Sequence, residues 1–172
     1  MKFTILLTLM FLSYNLLGQK LIKNETDEFT NVGIKETSFE PIVQNLTLNC
    51  FLSVKKMDSI KYLQVIILLG MGSPHSIKQD ASFYIKLIDG SIVELKNLKT
   101  ETSCKGCAYT GRLSGSQAEG SKTVYILNNV ATDALTRSAI KKIRIYTSKG
   151  YTESDIKEQR SEVLKNELML IN

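Results

Sequence analysis

The sequence has no tryptophan, two prolines and a single histidine, His75, among its 172 residues. Any hydrolytic triad or histidine-ligated metal site would therefore have to be built on His75 alone. That residue sits in "GMGSPHSIKQD", a polar turn after an apolar run, where an exposed and chemically idle imidazole is expected. The phosphate-cradling patterns G-x-x-x-x-G-K-[ST] and G-x-G-x-x-G are missing, as is H-E-x-x-H. Ser114 has Arg112 where a nucleophile elbow requires glycine. No pair of carboxylates stands out from the general surface charge. These absences disfavour an enzyme, and no cofactor is expected.

Long apolar runs are also scarce after the first residues. The chain opens "MKFTILLTLMFLSYNLLGQK": one lysine, an apolar stretch from Phe3 to about Leu17, then Gly18 and Gln19. That is the charged start, apolar centre and small-residue exit of a secretory signal peptide, assigned to residues 1–18. The stretch is too short and too interrupted for a spanning helix of about 20 apolar residues. No cysteine follows it to carry a lipid. Residues 19–172 are then expected to form a single exported domain, periplasmic or secreted, with no stable membrane insertion. This domain of 154 residues carries a net charge of +4. The basic excess is dispersed ("KNLKTE", "IKKIR", "SKTV"), so it reads as solvated surface and no nucleic acid partner is expected.

What the domain does have is alternation. Leu46, Leu48, Cys50, Leu52 and Val54 alternate with Thr47, Asn49, Phe51 and Ser53, a strand with one buried face. Leu63, Val65, Ile67, Leu69 and Met71 continue the pattern. A turn at Asp58 and Ser59, or a four-residue loop with the same pairing, sets Val54 against Leu63, Leu52 against Val65, Cys50 against Ile67 and Leu48 against Leu69. A slip of one residue would destroy that match. Ile66 and Leu68 make the second strand apolar on both faces, which predicts a central position. In "SFYIKLIDGSIVEL", Phe83, Ile85 and Leu87 match Val93 and Leu95 only if the loop is the three residues Ile88-Asp89-Gly90, with Gly90 at positive φ. "KIRIYTSKGYTESDI" predicts a third hairpin turning near Gly150. Shorter strands are expected at 29–37 and 122–127.

Helices are fewer. "NNVATDALTRSA" predicts a short helix capped by Asn129. In "DIKEQRSEVLKNELMLIN", Asp155 and Glu158 have capping-box spacing. Val163, Leu164, Leu168 and Ile171 then form an apolar stripe suited to packing on a sheet. The fold class expected is α+β: an antiparallel β-rich sheet or sandwich with a short helix and a packed C-terminal helix.

Residues 99–121, "KTETSCKGCAYTGRLSGSQAEGS", show no sustained period and hold four glycines. A long irregular loop is often functional, and Tyr109, Arg112, Ser114 and Ser116 are its expected ligand contacts. The partner expected is a protein or glycan that the sequence does not identify. The order "LIDGSIVEL", "SCKGCAYTGRLSGSQAEG", "KIRIYTSKGYTESDIK" and a short C-terminal helix resembles a group of uncharacterised secreted β-rich proteins from Bacteroidetes. The resemblance spans Phe83 to Ile171. It implies export from a Gram-negative cell and implies no reaction.

Within the loop, Cys104 and Cys107 admit three readings. A thiol–disulfide catalyst usually sets its first cysteine at a helix N-terminus, and "AYTGRLSG" does not read as a helix. A zinc site needs further ligands, for which only Cys50 and His75 remain, and alternation buries Cys50. An oxidising compartment favours a disulfide between the two, stabilising by roughly 2 kcal/mol. A periplasmic thiol–disulfide or metal-binding protein is the competing reading. Cys50 is expected to be a buried free thiol.

The exported domain has six tyrosines. Tyr62 and Tyr84 face outward under the pairings above, where tyrosines either meet a sugar or protein or lie beneath another layer. Finally, "DSI" at 58–60 matches the Asp-Ser/Thr-aliphatic sequon of Bacteroidetes protein O-glycosylation, with Ser59 as acceptor. "NET" and "NLT", beginning at Asn24 and Asn45, would be acceptors only in a eukaryotic secretory route.

Overall fold

The structure, a computed structural model, describes residues 19–108 and 118–172. The expected signal segment 1–18 and the expected contacts Tyr109, Arg112, Ser114 and Ser116 lie outside the described residues. In chain order the strands are β1 (Leu21–Thr26), β2 (Gly33–Thr37), β3 (Glu40–Gln44), β4 (Leu48–Met57), β5 (Ile60–Leu69), β6 (Ser76–Ile77) and β7 (Ser82–Leu87). There follow β8 (Ile92–Lys96), β9 (Glu101–Thr102), β10 (Cys104–Lys105), β11 (Glu119–Leu127), β12 (Ile140–Thr147) and β13 (Gly150–Asp155). Helix α1 (Asn129–Arg137) lies between β11 and β12; a 3₁₀ turn (Glu158–Arg160) and α2 (Val163–Ile171) end the chain. The class is α+β and β-rich, as the alternation implied.

A large sheet runs β1-β2-β4-β5-β11-β10, with β3 also paired to β4. A second sheet runs β13-β12-β7-β8, and β6 and β9 form a short ribbon. All of these pairs are antiparallel. An isolated bridge between Asn97 and Tyr125 links the end of β8 to β11.

The β4–β5 hairpin has the pairing its alternation required, from Val54 opposite Leu63 to Leu48 opposite Leu69. Its loop is the two-residue one. Met57 pairs with Ile60, and Asp58 takes the left-handed conformation (φ 54°) that aspartate tolerates better than most residues. The β7–β8 loop is Ile88-Asp89-Gly90, with Ile85 opposite Val93 and Gly90 at φ 91°. The third hairpin sets Thr147 opposite Gly150, which has φ 100°.

The inner faces of the two sheets enclose the core. Leu48, Cys50, Leu52, Leu63, Val65 and Ile67 meet Phe83, Ile85, Ile143 and Ile145, all shut off from solvent. Leu164, Leu168 and Ile171 of α2 are equally buried, packing onto β4, β2 and α1.

Several boundaries differ from expectation, each for a local reason. Leu46 and Met71 lie outside the strands and are exposed. Asn45 folds the approach to β4 by accepting from the backbone N–H groups of Thr47 and Leu48, while Gly70 (φ 56°) turns the chain after β5. Residues 29–32 are not strand, because the Asp27 carboxylate gathers Phe29 N–H, Thr30 N–H and the Thr30 hydroxyl into a turn. Asn128, not Asn129, caps α1, accepting from Ala131 N–H at 2.8 Å. No capping box forms at Asp155, which ends β13; α2 begins later, after Glu162, with no side-chain cap.

Candidate ligand-binding groove

The outer face of the large sheet is divided. At one end Phe51, Ile66 and Leu68 are buried beneath Ala108, with Phe39 and Ala118 beside them. At the other end the cross-strand rows are mixed: Lys55 opposite Tyr62, buried Ser53 opposite buried Gln64, and Gln64 opposite Val124. The sequence made β5 apolar on both faces because its second face carries this separate small cluster. β5 is central, between β4 and β11.

The expectation of an irregular segment from 99 to 121 is corrected in part. Within the described residues β9 pairs with β6, β10 pairs with β11, and Glu119–Ser121 already belong to β11. Cys104 and Cys107 are disulfide-bonded, with Cα atoms 5.3 Å apart, and both are exposed. Cys104 stands opposite Gly120. A Cβ on Gly120 would run into the side chain of Ala108 and lie 2.9 Å from the Ile67 carbonyl oxygen, so only glycine lets the stapled loop lie this close.

His75 is not the exposed residue its polar neighbours suggested. It is 4% exposed, and its two ring nitrogens lie 2.9 Å from the Ser73 carbonyl oxygen and 2.9 Å from Ser121 Oγ. The carbonyl can only accept, so Nδ1–H donates to it, while Nε2 and the Ser121 hydroxyl share a hydrogen bond. The His75 backbone also exchanges bonds with Ser103, whose N–H donates to the His75 carbonyl while Ser103 Oγ accepts from His75 N–H. His75 is thus a bracket joining three segments around the staple. Asn97, also buried, donates from its side chain to the carbonyls of Ile77, Lys78 and Lys99. These bonds tie the described stretch from Asn97 to Ser103 to its neighbours.

Beside the staple, the part of the sheet that the described residues leave uncovered forms a groove of about 650 Å3. Lys55, Tyr62, Gln64 and Lys122 form its floor; Lys99, Glu101, Thr102 and Cys107 form a wall. Gln64 Nε2 donates to Glu36 at 2.9 Å. The Lys122 side chain is exposed at its end, yet loss of water along it, with Lys55 nearby, pushes its pKa down against the pull of Glu36. Its ammonium lies 4.9 Å from the centre of the Phe39 ring.

Other residues marked in the sequence are scattered. Cys50 is buried on the core side of β4, where burial pushes its thiol far above the ordinary range. Ser59 is exposed at the tip of the β4–β5 hairpin. Among the described residues no three histidine, cysteine or acidic side chains are grouped as a metal site needs. Nor is any helix among them long and apolar enough to cross a membrane.

One pair of buried acids escaped the sequence reading altogether. Glu167 in α2 has no exposure, and neither carboxylate oxygen has a hydrogen-bond partner among the described residues. Burial first, and then nearby Glu40, push its pKa well up. The signal was available, because 164, 167, 168 and 171 share one helical face. Comparisons with family models, with curated proteins and with solved structures found no match.

Proposed function

We propose that the protein is an exported, non-catalytic binding domain that takes a protein or glycan ligand in the groove beside the Cys104–Cys107 staple. One observation carries the reading: among the described residues, Ala108 and Ala118 lie at the apolar end of the outer sheet face, and the other end lines a walled cleft. The groove offers both charges, a tyrosine ring and an amide. Those groups orient a polar ligand but supply no paired acid and base. Export rests on the leader-like residues 1–18 and on the disulfide, which belongs to an oxidising compartment.

The test is capture from the native periplasm or culture medium. The wild-type domain should retain a ligand that a Tyr62→Ala/Lys122→Glu variant loses while still folding. Equal capture by both would end the proposal.

A second reading, a thiol–disulfide protein, is favoured by the exposure of both sulfurs. Against it, Cys104 lies in a short strand, without the helix N-terminus that lowers a thiol pKa. Titration of the reduced native protein separates the two: a thiol ionising well below the ordinary cysteine range would favour exchange chemistry.

A further inference from the structure

The second sheet presents a different surface on the opposite side of the core. Its outward positions fall into three rows across β8, β7, β12 and β13. The first holds Ile92, Lys86, Lys142 and Asp155; the second holds Glu94, Tyr84, Arg144 and Glu153. In the third, Ser82 pairs with Lys96, and Tyr146 pairs with Tyr151. The strand spacings make the face roughly 14 Å in each direction. Three tyrosines form a continuous strip over it: Tyr84 and Tyr146 have ring centres 6.1 Å apart, and Tyr146 and Tyr151 5.9 Å. Tyr151 is 60% exposed and Ile92 62%, and a shallow groove of about 430 Å3 runs past Tyr84, Ile92 and Tyr146.

Apart from Lys86, the charges around the strip are already committed to one another. Glu94 accepts from Lys96, Ser82 and Tyr84, which hold its pKa down to about 2. Glu153 accepts two bonds from Arg144, at 3.0 and 2.8 Å, and one from Lys142 at 3.4 Å; Lys142 also meets Asp155. The Arg144 guanidinium lies over the Tyr151 ring at 4.9 Å.

We propose that this tyrosine-lined face binds a neutral oligosaccharide chain. Charge complementarity selects the ligand. Four cations face three carboxylates, and Lys96, Lys142 and Arg144 are ion-paired, so beyond Lys86 a polyanion would have to break pairs to gain new ones. A polypeptide anchor needs a deep pocket for a desolvated side chain, and the face is shallow. A sugar ring has an apolar face for a tyrosine and a hydroxyl edge for fixed carboxylates and guanidinium. This surface is separate from the groove beside the staple and does not depend on it.

The experiment is affinity electrophoresis of the whole domain through gels containing β-glucan, mannan, xylan or galactan. Dextran sulfate and single-stranded DNA serve as anionic probes. Retardation by at least one neutral polysaccharide is expected, surviving 0.5 M salt. Tyr146→Ala/Tyr151→Ala should weaken it by about tenfold or more, whereas Tyr146→Phe/Tyr151→Phe, which keeps both rings and the fold, should stay within about threefold. The proposal fails if no neutral polysaccharide retards the protein or if the alanine variant binds as well as the wild type. It also fails if retention is confined to the anionic probes and vanishes with salt, or if the face is instead covered by a second copy in sedimentation.

Discussion

The two faces of the large sheet are built on opposite terms. Its inner face is sealed by the second sheet and both helices, and its side chains join one continuous apolar cluster. Among the described residues its outer face has a small buried group, Phe51, Ile66 and Leu68, with Ala108 packed over it. Hydrophobic burial scales with area, so the inner face can hold itself together and the outer covering cannot. The covering is accordingly tied by other means: a disulfide, the His75 bracket, the Asn97 amide and a glycine that permits close approach. The continuous apolar core and the candidate groove lie on different faces of the sheet.

The sharpest way to break that contrast is to cut the inner face. Leu164→Ala removes a fully buried side chain between α2 and the sheets and is expected to cost about 3 kcal/mol. It should lower the melting temperature of the whole domain, as followed by far-ultraviolet circular dichroism. A purely local effect would mean that α2 does not belong to the cooperative core.

Cutting the outer face should behave differently. Cys104→Ser/Cys107→Ser is expected to cost roughly 2 kcal/mol, concentrated on the loop. Hydrogen exchange should quicken at Ser103 N–H, bonded to the His75 carbonyl, and at Gly106 N–H, bonded to the Ala118 carbonyl. Core amides in β5 should change little. A uniform loss of protection would erase the distinction between the faces. Gly120→Ala should act on the same loop through steric overlap alone, costing about 1.5 kcal/mol with the disulfide intact.

The same division explains what could be read from sequence. Period-two alternation is a direct imprint of one buried face, so the pairings of Leu48–Val54 with Leu63–Leu69, and the three-residue loop before Ser91, were legible. The bracket was not. His75 follows Pro74 among polar residues, and nothing local signals that Ser121, 46 positions on, closes over its ring. The groove is likewise assembled from β2, β4, β5, β11 and the 99–107 segment, so no continuous stretch spells it. Asn128 and Asn129 are adjacent identical residues, and only backbone geometry chooses the cap.

Glu167 is a buried acid on the sealed side, and it offers the finest test of how complete that seal is. Its carboxyl has an ordinary pKa of 4.5 and is pushed well above it in the folded chain. Below about pH 4.5 both folded and unfolded forms hold the proton, and the group imposes no ionisation penalty. As pH rises from there, the unfolded chain releases its proton while the folded chain must keep it, so stability falls until the raised folded pKa is passed. Glu167→Met keeps the volume and removes the titration. It is expected to raise stability by about 1 kcal/mol at pH 8 and by less at pH 4.5, measured by urea unfolding at both values. An equal gain at the two pH values would show that packing, not ionisation, limits the site. A loss at pH 8 would mean that the carboxylate is satisfied there, and that the inner face admits water where the apolar cluster says it should not.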